Sequence, residues 1–188
     1  MQALLIAISS PSGGGKTTII QEVRKRRPQL GYSVSCTTRK PRPGEVDGRD
    51  YIFLSEHEFK TRAENGDFLE WEWVHGYFYG TLKQTIAQAL NTGKSLLFDI
   101  DIHGAQSLKQ AFPDNALLIF LQPPDLETLK RRLMARAQDA VEDIQTRLDR
   151  VKIEMDAAKN FDNIIINDDL TETVDQVMAA IDHRQRST

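Results

Sequence analysis

Apolar residues along the chain fall in short, unbroken blocks separated by polar stretches of helical length. The first block, Leu4-Leu5-Ile6-Ala7-Ile8, lies within a run from Ala3 to Ser9 and ends at Ser10-Pro11 and three glycines. A block of that kind reads as a parallel strand buried on both faces. Helix-compatible sequence follows from Lys16 to about Arg27. Similar blocks recur at Leu96-Leu97-Phe98, at Ala116-Leu117-Leu118-Ile119-Phe120-Leu121 and at Ile164-Ile165-Ile166, each followed by a polar, helix-compatible stretch. Beyond Val141, the apolar residues Ile144, Leu148, Val151, Met155 and Ala158 step by three or four and so share one helical face. A last helix is predicted from Thr171 to about His183. Strand and helix alternate, which predicts an α/β fold around a parallel sheet. The rhythm breaks from about Ser33 to Thr81, where Pro41, Pro43, Gly44, Gly48, Gly66, Gly76 and Gly80 separate short aromatic segments. This stretch is predicted to be an inserted, mostly antiparallel subdomain.

Composition narrows the picture. A length of 188 residues with 40% hydrophobic content suits one domain, and no repeat, low-complexity tract or Pro/Ser-rich linker divides it. The single cysteine, Cys36, cannot pair within the chain, and no Cys/His cluster has zinc-like spacing, so a reducing, cytoplasmic setting is expected. With 24 Lys+Arg against 27 Asp+Glu the net charge is −3, which supplies no global field for a nucleic acid. The run Arg24-Lys25-Arg26-Arg27 is explained by cations complementing a helix C-terminus. Ala3 to Ile8, the longest apolar run near the start, is six residues, too short for a signal peptide or a membrane span. Any phosphate binding must therefore be local.

Ser10-Pro11-Ser12-Gly13-Gly14-Gly15-Lys16-Thr17 supplies such a place. It matches G-x-x-x-x-G-K-[ST] except at its first position, where Ser10 replaces glycine, and it lies between a predicted strand and a predicted helix. The glycines let consecutive backbone N–H groups converge on phosphate oxygens, and the following helix directs its positive dipole end there. Ser12, Gly13, Gly14, Gly15, Lys16, Thr17 and Thr18 are the candidate nucleotide contacts, with Lys16 reaching the β/γ-phosphates and the Thr17 hydroxyl a Mg²⁺. No Asn-Lys-x-Asp guanine-reading motif follows, so ATP is the expected donor.

A second phosphate site is suggested downstream. Arg39 and Arg42, three residues apart and held by Pro41 and Pro43, with Tyr51 soon after, could grip a phosphate through paired hydrogen bonds. Asp99 and Asp101 are two apart at the end of an apolar strand, face the same way, and are candidates for organising Mg²⁺ and an acceptor. The segment Thr37-Thr38-Arg39-Lys40-Pro41-Arg42-Pro43-Gly44-Glu45, together with Tyr79-Gly80-Thr81 and Asp99-Ile100-Asp101-x-x-Gly104, resembles guanylate kinase, and the likeness extends to Asn167-Asp168-Asp169.

The resemblance implies a P-loop kinase core (about 1–32, 82–134 and 141–188), a GMP-binding insertion (about 33–81) and a helical lid (about 135–140). It implies that Arg39, Arg42, Tyr51 and Tyr79 hold the GMP phosphate, that Ser35, Glu70 and Thr81 read guanine, and that Asp101 lies near the base or ribose. Asp99 would stand near the water shell of the metal, and Asn167 would contact the adenine of ATP. A carboxylate such as Glu70 can accept from guanine N1–H and the 2-amino group, and a hydroxyl such as Ser35 can donate to O6. His103 extends the acidic pair to Asp-x-Asp-x-His but is expected to be a solvated histidine.

Arg132 and Arg136 would reach the ATP phosphates from the lid, and Arg147 would act near the transferred group. Where relatives show Arg-Gly-x-Asp/Glu-Ser/Thr-Glu, this chain has Arg136-Ala137-Gln138-Asp139-Ala140-Val141. Alanine favours helix over glycine by about 1 kcal/mol, which predicts a stiffer or more helical lid. The implied substrates are ATP and GMP, with neither nucleic acid nor membrane as partner, and direct in-line phosphoryl transfer as the chemistry. Two other readings stay open: a kinase of another small phosphorylated acceptor, and a guanylate-kinase-like interaction module without catalysis. Ser35, Glu70 and Thr81 speak against the first, Lys16 and Thr17 against the second.

Overall fold

The computed structural model describes residues 2–74, 76–136, 151 and 153–187. In chain order its strands are β1 (Leu5–Ser9), β2 (Gly31–Tyr32), β3 (Cys36–Thr37), β4 (Ile52–Phe53), β5 (Phe68–Val74), β6 (Tyr77–Leu82), β7 (Leu96–Asp99), β8 (Ala116–Gln122) and β9 (Asn163–Ile166). Five of them form a parallel sheet in the order β2-β7-β1-β8-β9. β1 is central, paired on both sides, and buried at every residue. Its alternate residues serve opposite layers, which is why the block shows no polar alternation. Leu4, Ile6 and Ile8 pack with Ile19, Ile20 and Val23 of α1 (Lys16–Arg26) and with Val174, Val177 and Ile181 of the C-terminal helix (Leu170–Arg186). Leu5 and Ala7 pack instead with Phe98, Phe120, Ile86 of α3 (Lys83–Asn91), and Ala105 and Leu108 of α4 (Ile102–Ala111).

The four apolar blocks form β1, β7, β8 and β9 where the pattern predicts them. β2 is not predicted: two residues carry no periodicity, and this edge strand is specified by pairing with Leu96 and Leu97 of β7. The basic run at the end of α1 is spent inside the fold. Arg26 and Arg27 form ion pairs with Asp175 and Asp182 of the C-terminal helix, and the Arg24 guanidinium lies 4.3 Å from the centroid of the Tyr32 ring.

The remaining strands make a second sheet in the order β4-β3-β6-β5, antiparallel at β3-β6 and β5-β6 and parallel at β3-β4. It carries a helix absent from the periodicity reading, α2 (Glu56–Glu64). The signal was present in Ser55-x-x-Glu58. The Ser55 hydroxyl accepts from the Glu58 N–H at 3.2 Å, and the Glu58 carboxylate accepts from the Ser55 N–H at 2.8 Å, a complete capping box. The helix buries Phe59, which stacks on Phe68 at 4.4 Å and on Phe78 at 5.2 Å between centroids. Cys36 is sealed in the same small core, where burial pushes its thiol up to about 11.

β5 contains a bulge. Phe68 pairs with Leu82 and Glu70 with Thr81, so Leu69 is an extra residue in the ladder. Phe68 thereby faces α2, Leu69 packs against the core beneath the parallel sheet, and Glu70 turns toward a cavity. From Glu70 onward the strand alternates regularly. No helix among the described residues is long and apolar enough to cross a membrane.

Candidate functional site

The carboxyl ends of β1, β7, β8 and β9 converge on one edge of the parallel sheet, the place where α/β folds bind ligands. β1 runs into the glycine loop, whose backbone is closed by the Gly14 N–H donating to the Pro11 carbonyl at 2.8 Å. Gly15 adopts φ +85°, a left-handed conformation that residues with side chains rarely take. It also stands at the cap position of α1, which has no side-chain cap and no acidic residue in its first turn. Ser55, Asp101 and Asp169 cap α2, α4 and the C-terminal helix with their side chains, whereas α3, like α1, has no side-chain cap but follows a strand of the second sheet and not a glycine loop. The start of α1 is thus left open to an external anion.

Lys16 projects along the sheet edge to β7. Its Nζ lies 2.8 Å from Asp99 Oδ1 and donates to the Ile100 carbonyl at 3.0 Å. Thr17 and Asp99 border a single cavity of about 330 Å³ whose lining also includes Ser35, Tyr51, Glu70, Tyr79 and Asp101. Residues drawn from the glycine loop, from β7 and from the second sheet therefore meet around one space.

On the second sheet, period-two alternation puts Glu70 and Tyr79 on the cavity face, with Thr81 buried opposite Glu70 in register. Burial, aided by the charge of Asp101, raises the Glu70 carboxyl above its ordinary value. Burial likewise raises the Tyr51 phenol, with Asp99 adding to the effect. Asp101 borders the cavity and accepts from the Gly104 N–H at 2.7 Å, capping α4. A Cβ on Gly104 would lie 3.2 Å from Asp101 Oδ1 and 3.3 Å from Glu70 Cδ. The missing side chain is what lets the β5 carboxylate rest on the first turn of α4.

The two arginines of the proline-stiffened segment are arranged differently. Arg39 is buried, donates to the Lys40 carbonyl at 2.8 Å and to Glu45 Oε1 at 2.8 Å, and lies 5.3 Å from the centroid of the Tyr51 ring. Tyr51 meets Tyr79 edge to face at 6.0 Å. Arg42 is exposed, and its backbone N–H donates to Glu45 Oε2 at 2.7 Å. Glu45 thus staples the segment from both ends, and its hydrogen bonds with Arg39 and Arg42 hold its carboxyl below the usual range.

Arg132, on α5 (Leu126–Arg136), donates to the Asn167 carbonyl at 3.1 Å, and Asn167 Nδ2 donates to the Gly14 carbonyl at 2.6 Å. The Arg136 side chain, Arg147 and the lid residues 137–140 lie outside the described residues. His103 is exposed on α4.

Sequence reading missed Tyr32, Asp50, Glu72 and Val74, all of which border the cavity, and the stapling role of Glu45. Glu72 and Val74 were open to discovery, since residues two and four beyond Glu70 share its face. Among the described residues no group of three or more His, Cys, Asp or Glu side chains is arranged to hold a metal ion. Mg²⁺ needs no such cage, because substrate phosphates supply much of its shell. The hard oxygens of Thr17 and Asp99 on one cavity fit that style of binding.

A family model described as guanylate kinase matches residues 2–184. Similar curated proteins include the guanylate kinase of Chlorobaculum tepidum, 49% identical over 181 residues and covering 96% of this chain and 92% of that one. That of Chlorobium luteolum is 46% identical over 177 residues, covering 94% of this chain and 90% of its own. Among solved structures, guanylate kinase from Anaplasma phagocytophilum superposes with a TM-score of 0.79 at 28% identity, covering 98% of this chain and 87% of that chain.

Proposed function

Since this chain belongs to the guanylate kinase family and is an enzyme that phosphorylates GMP, we propose that ATP is its donor and that the two nucleotides meet head to head across the cavity. The observation that carries this reading is the single space bordered by Thr17 and Asp99 on one side and by Ser35, Tyr51, Glu70 and Tyr79 on the other. The ATP phosphates lie in the backbone cradle of the glycine loop, formed by Ser12 to Thr18. Lys16 exchanges its contacts with Asp99 and the Ile100 carbonyl for the β/γ-phosphates. Thr17 and Asp99 would hold a Mg²⁺, which supplies positive charge to the phosphates when bound.

GMP enters from the second sheet. Arg39, Arg42, Tyr51 and Tyr79 take its phosphate, and Glu70, Ser35, Thr81 and Asp101 take the base and ribose. A GMP phosphate oxygen attacks the γ-phosphorus in line, the bond to the ADP oxygen breaks, and the phosphoryl group passes to GMP. The attacking oxygen is already ionised near neutral pH, so no general base is required. Positioning and positive charge supply most of the acceleration. Arg132, Arg136 and Arg147 are the proposed cations on the donor side, and the reaction is placed in the cytoplasm. Purified protein supplied with ATP and GMP should yield ADP and GDP in equal amounts; its failure to do so in a folded state would favour a non-catalytic interaction module.

Two substitutions probe the acceptor side. Arg42→Lys keeps the charge but loses the planar fork, so calorimetric titration should find GMP affinity reduced by about tenfold. Equal affinity would remove Arg42 from the phosphate site. Gly104→Ala adds a methyl group where Asp101 and Glu70 must both give way by a few tenths of an ångström. It should leave the protein folded, since alanine is the better helix former by about 1 kcal/mol. KM for GMP is expected to rise severalfold while KM for ATP holds. A rise in both would place the damage elsewhere.

A further inference from the structure

Asn167 follows β9 directly, at 6% exposure. Its backbone N–H donates to the Gln122 carbonyl at 2.7 Å, its carbonyl accepts from Arg132 at 3.1 Å, and its Nδ2 donates to the Gly14 carbonyl at 2.6 Å. A carbonyl can only accept, so chemistry fixes which end of the amide faces Gly14. The same nitrogen lies 2.6 Å from where a Cβ on Gly15 would stand, so the bare Gly15 backbone is the space the amide occupies.

We propose that Asn167 is a latch for the phosphate loop: a positioning residue that holds the Gly14-Gly15 peptide in its phosphate-binding orientation and ties it to α5 through Arg132, in addition to any contact its side-chain oxygen makes with the donor base. The peptide that links Gly14 to Gly15 carries the Gly14 oxygen on one side and the Gly15 N–H on the other. Anchoring the oxygen to Asn167 keeps the N–H side free for an anion. Were the peptide to turn over, an oxygen would face the donor phosphates where a donor is needed. Asn167 therefore acts on the triphosphate whatever base it carries, while its side-chain oxygen can still accept from a base amino group.

This inference rests on the reading that ATP binds at the glycine loop. The test compares Asn167→Ala and Asn167→Asp with the unaltered enzyme, measuring KM for ATP and inhibition by inorganic tripolyphosphate, which has no base. The latch requires Asn167→Ala to weaken tripolyphosphate by about tenfold and ATP by at least as much, with calorimetric GMP affinity unchanged. Asn167→Asp matches the native shape but sets a carboxylate oxygen against the Gly14 carbonyl, and it should be the more damaging of the two. A loss confined to ATP, or an Asn167→Asp enzyme with unaltered kinetics, would overturn the latch in favour of base contact. Lys16→Ala measured alongside separates the two levels. If it is impaired and Asn167→Ala is not, the latch alone falls; if Lys16→Ala is fully active, the donor site itself has been misassigned.

Discussion

Replacing Lys16 by alanine is expected to lower kcat by about 10²-fold or more, the range seen when an electrostatic stabiliser of a transition state is removed. Lys16 is the cation at the end of the glycine loop, held over the sheet edge by Asp99 at 2.8 Å and the Ile100 carbonyl at 3.0 Å. Those contacts hold the ammonium group at the cavity margin before any nucleotide arrives. Once ATP binding has drawn the ammonium from those contacts to the phosphates, charge spreading over the oxygens of the transferred group meets it with no further reorganisation. The variant also leaves Asp99 without this cation beside the donor phosphates, so the loss exceeds that of one hydrogen bond. Steady-state turnover with ATP and GMP, with circular dichroism to establish folding, decides the matter. A folded variant with near-normal kcat would sink the catalytic reading of the loop.

Glu70→Gln carries the second large effect, on the choice between GMP and AMP. Guanine offers N1–H and an amino group to a carboxylate. Adenine presents an acceptor nitrogen and a carbon-bound hydrogen at those places. AMP would leave Glu70 desolvated and unpaired, and well-built hydrogen-bonding sites reject such partners by about 10⁴-fold, against ~10²-fold from shape. The amide has one acceptor oxygen and an NH₂ group able to donate to adenine N1, so the variant should use GMP poorly and narrow the gap. kcat/KM for both nucleotides on both proteins measures this, and an unchanged ratio would remove Glu70 from base reading.

The same carboxylate ties specificity to pH and stability. Burial, with Asp101 adding to it, raises the folded-state value of Glu70 above the unfolded one. Between those two values the folded chain binds more protons, so ligand-free stability falls as pH rises through that window. Above it the ionised carboxylate is a standing cost, which disappears when acid protonates the group. Glu70→Gln should therefore raise the Tm of the ligand-free protein at pH 7 while harming GMP use. GMP affinity should fade on acidification from a higher pH than an ordinary carboxylate would impose. A Tm unchanged or lowered by the substitution would show that the charge carries no such cost.

Much of this was legible before the fold was known, for reasons that differ by element. Strands buried on both faces announce themselves as apolar blocks, and the glycine loop has fixed spacing because backbone N–H groups must converge. β2 is two residues long and draws its conformation from β7, so local sequence contains almost nothing of it. α2 was written in the Ser55–Glu58 pair, a signal independent of periodicity. Glu72 was missed although alternation from Glu70 would have found it, whereas Tyr32 and Asp50 reach the cavity through tertiary packing alone. Asn167 was visible as a residue after a strand. What no linear reading contains is the direction of its amide, set by a carbonyl 153 residues earlier.

Leu69 stands outside the pairing of β5 with β6, since its neighbours Phe68 and Glu70 face Leu82 and Thr81 across successive positions. It is therefore a supernumerary position: the residues after it keep their partners whether or not it is there. Its side chain fastens the second sheet to the main core, while the next residue along the chain is the one proposed to choose the base. Attachment and the proposed discrimination thus occupy adjacent codons yet obey separate geometric constraints. An evolving lineage could loosen or tighten the mooring of the acceptor sheet at Leu69 without rewriting the register that brings Glu70 opposite Thr81.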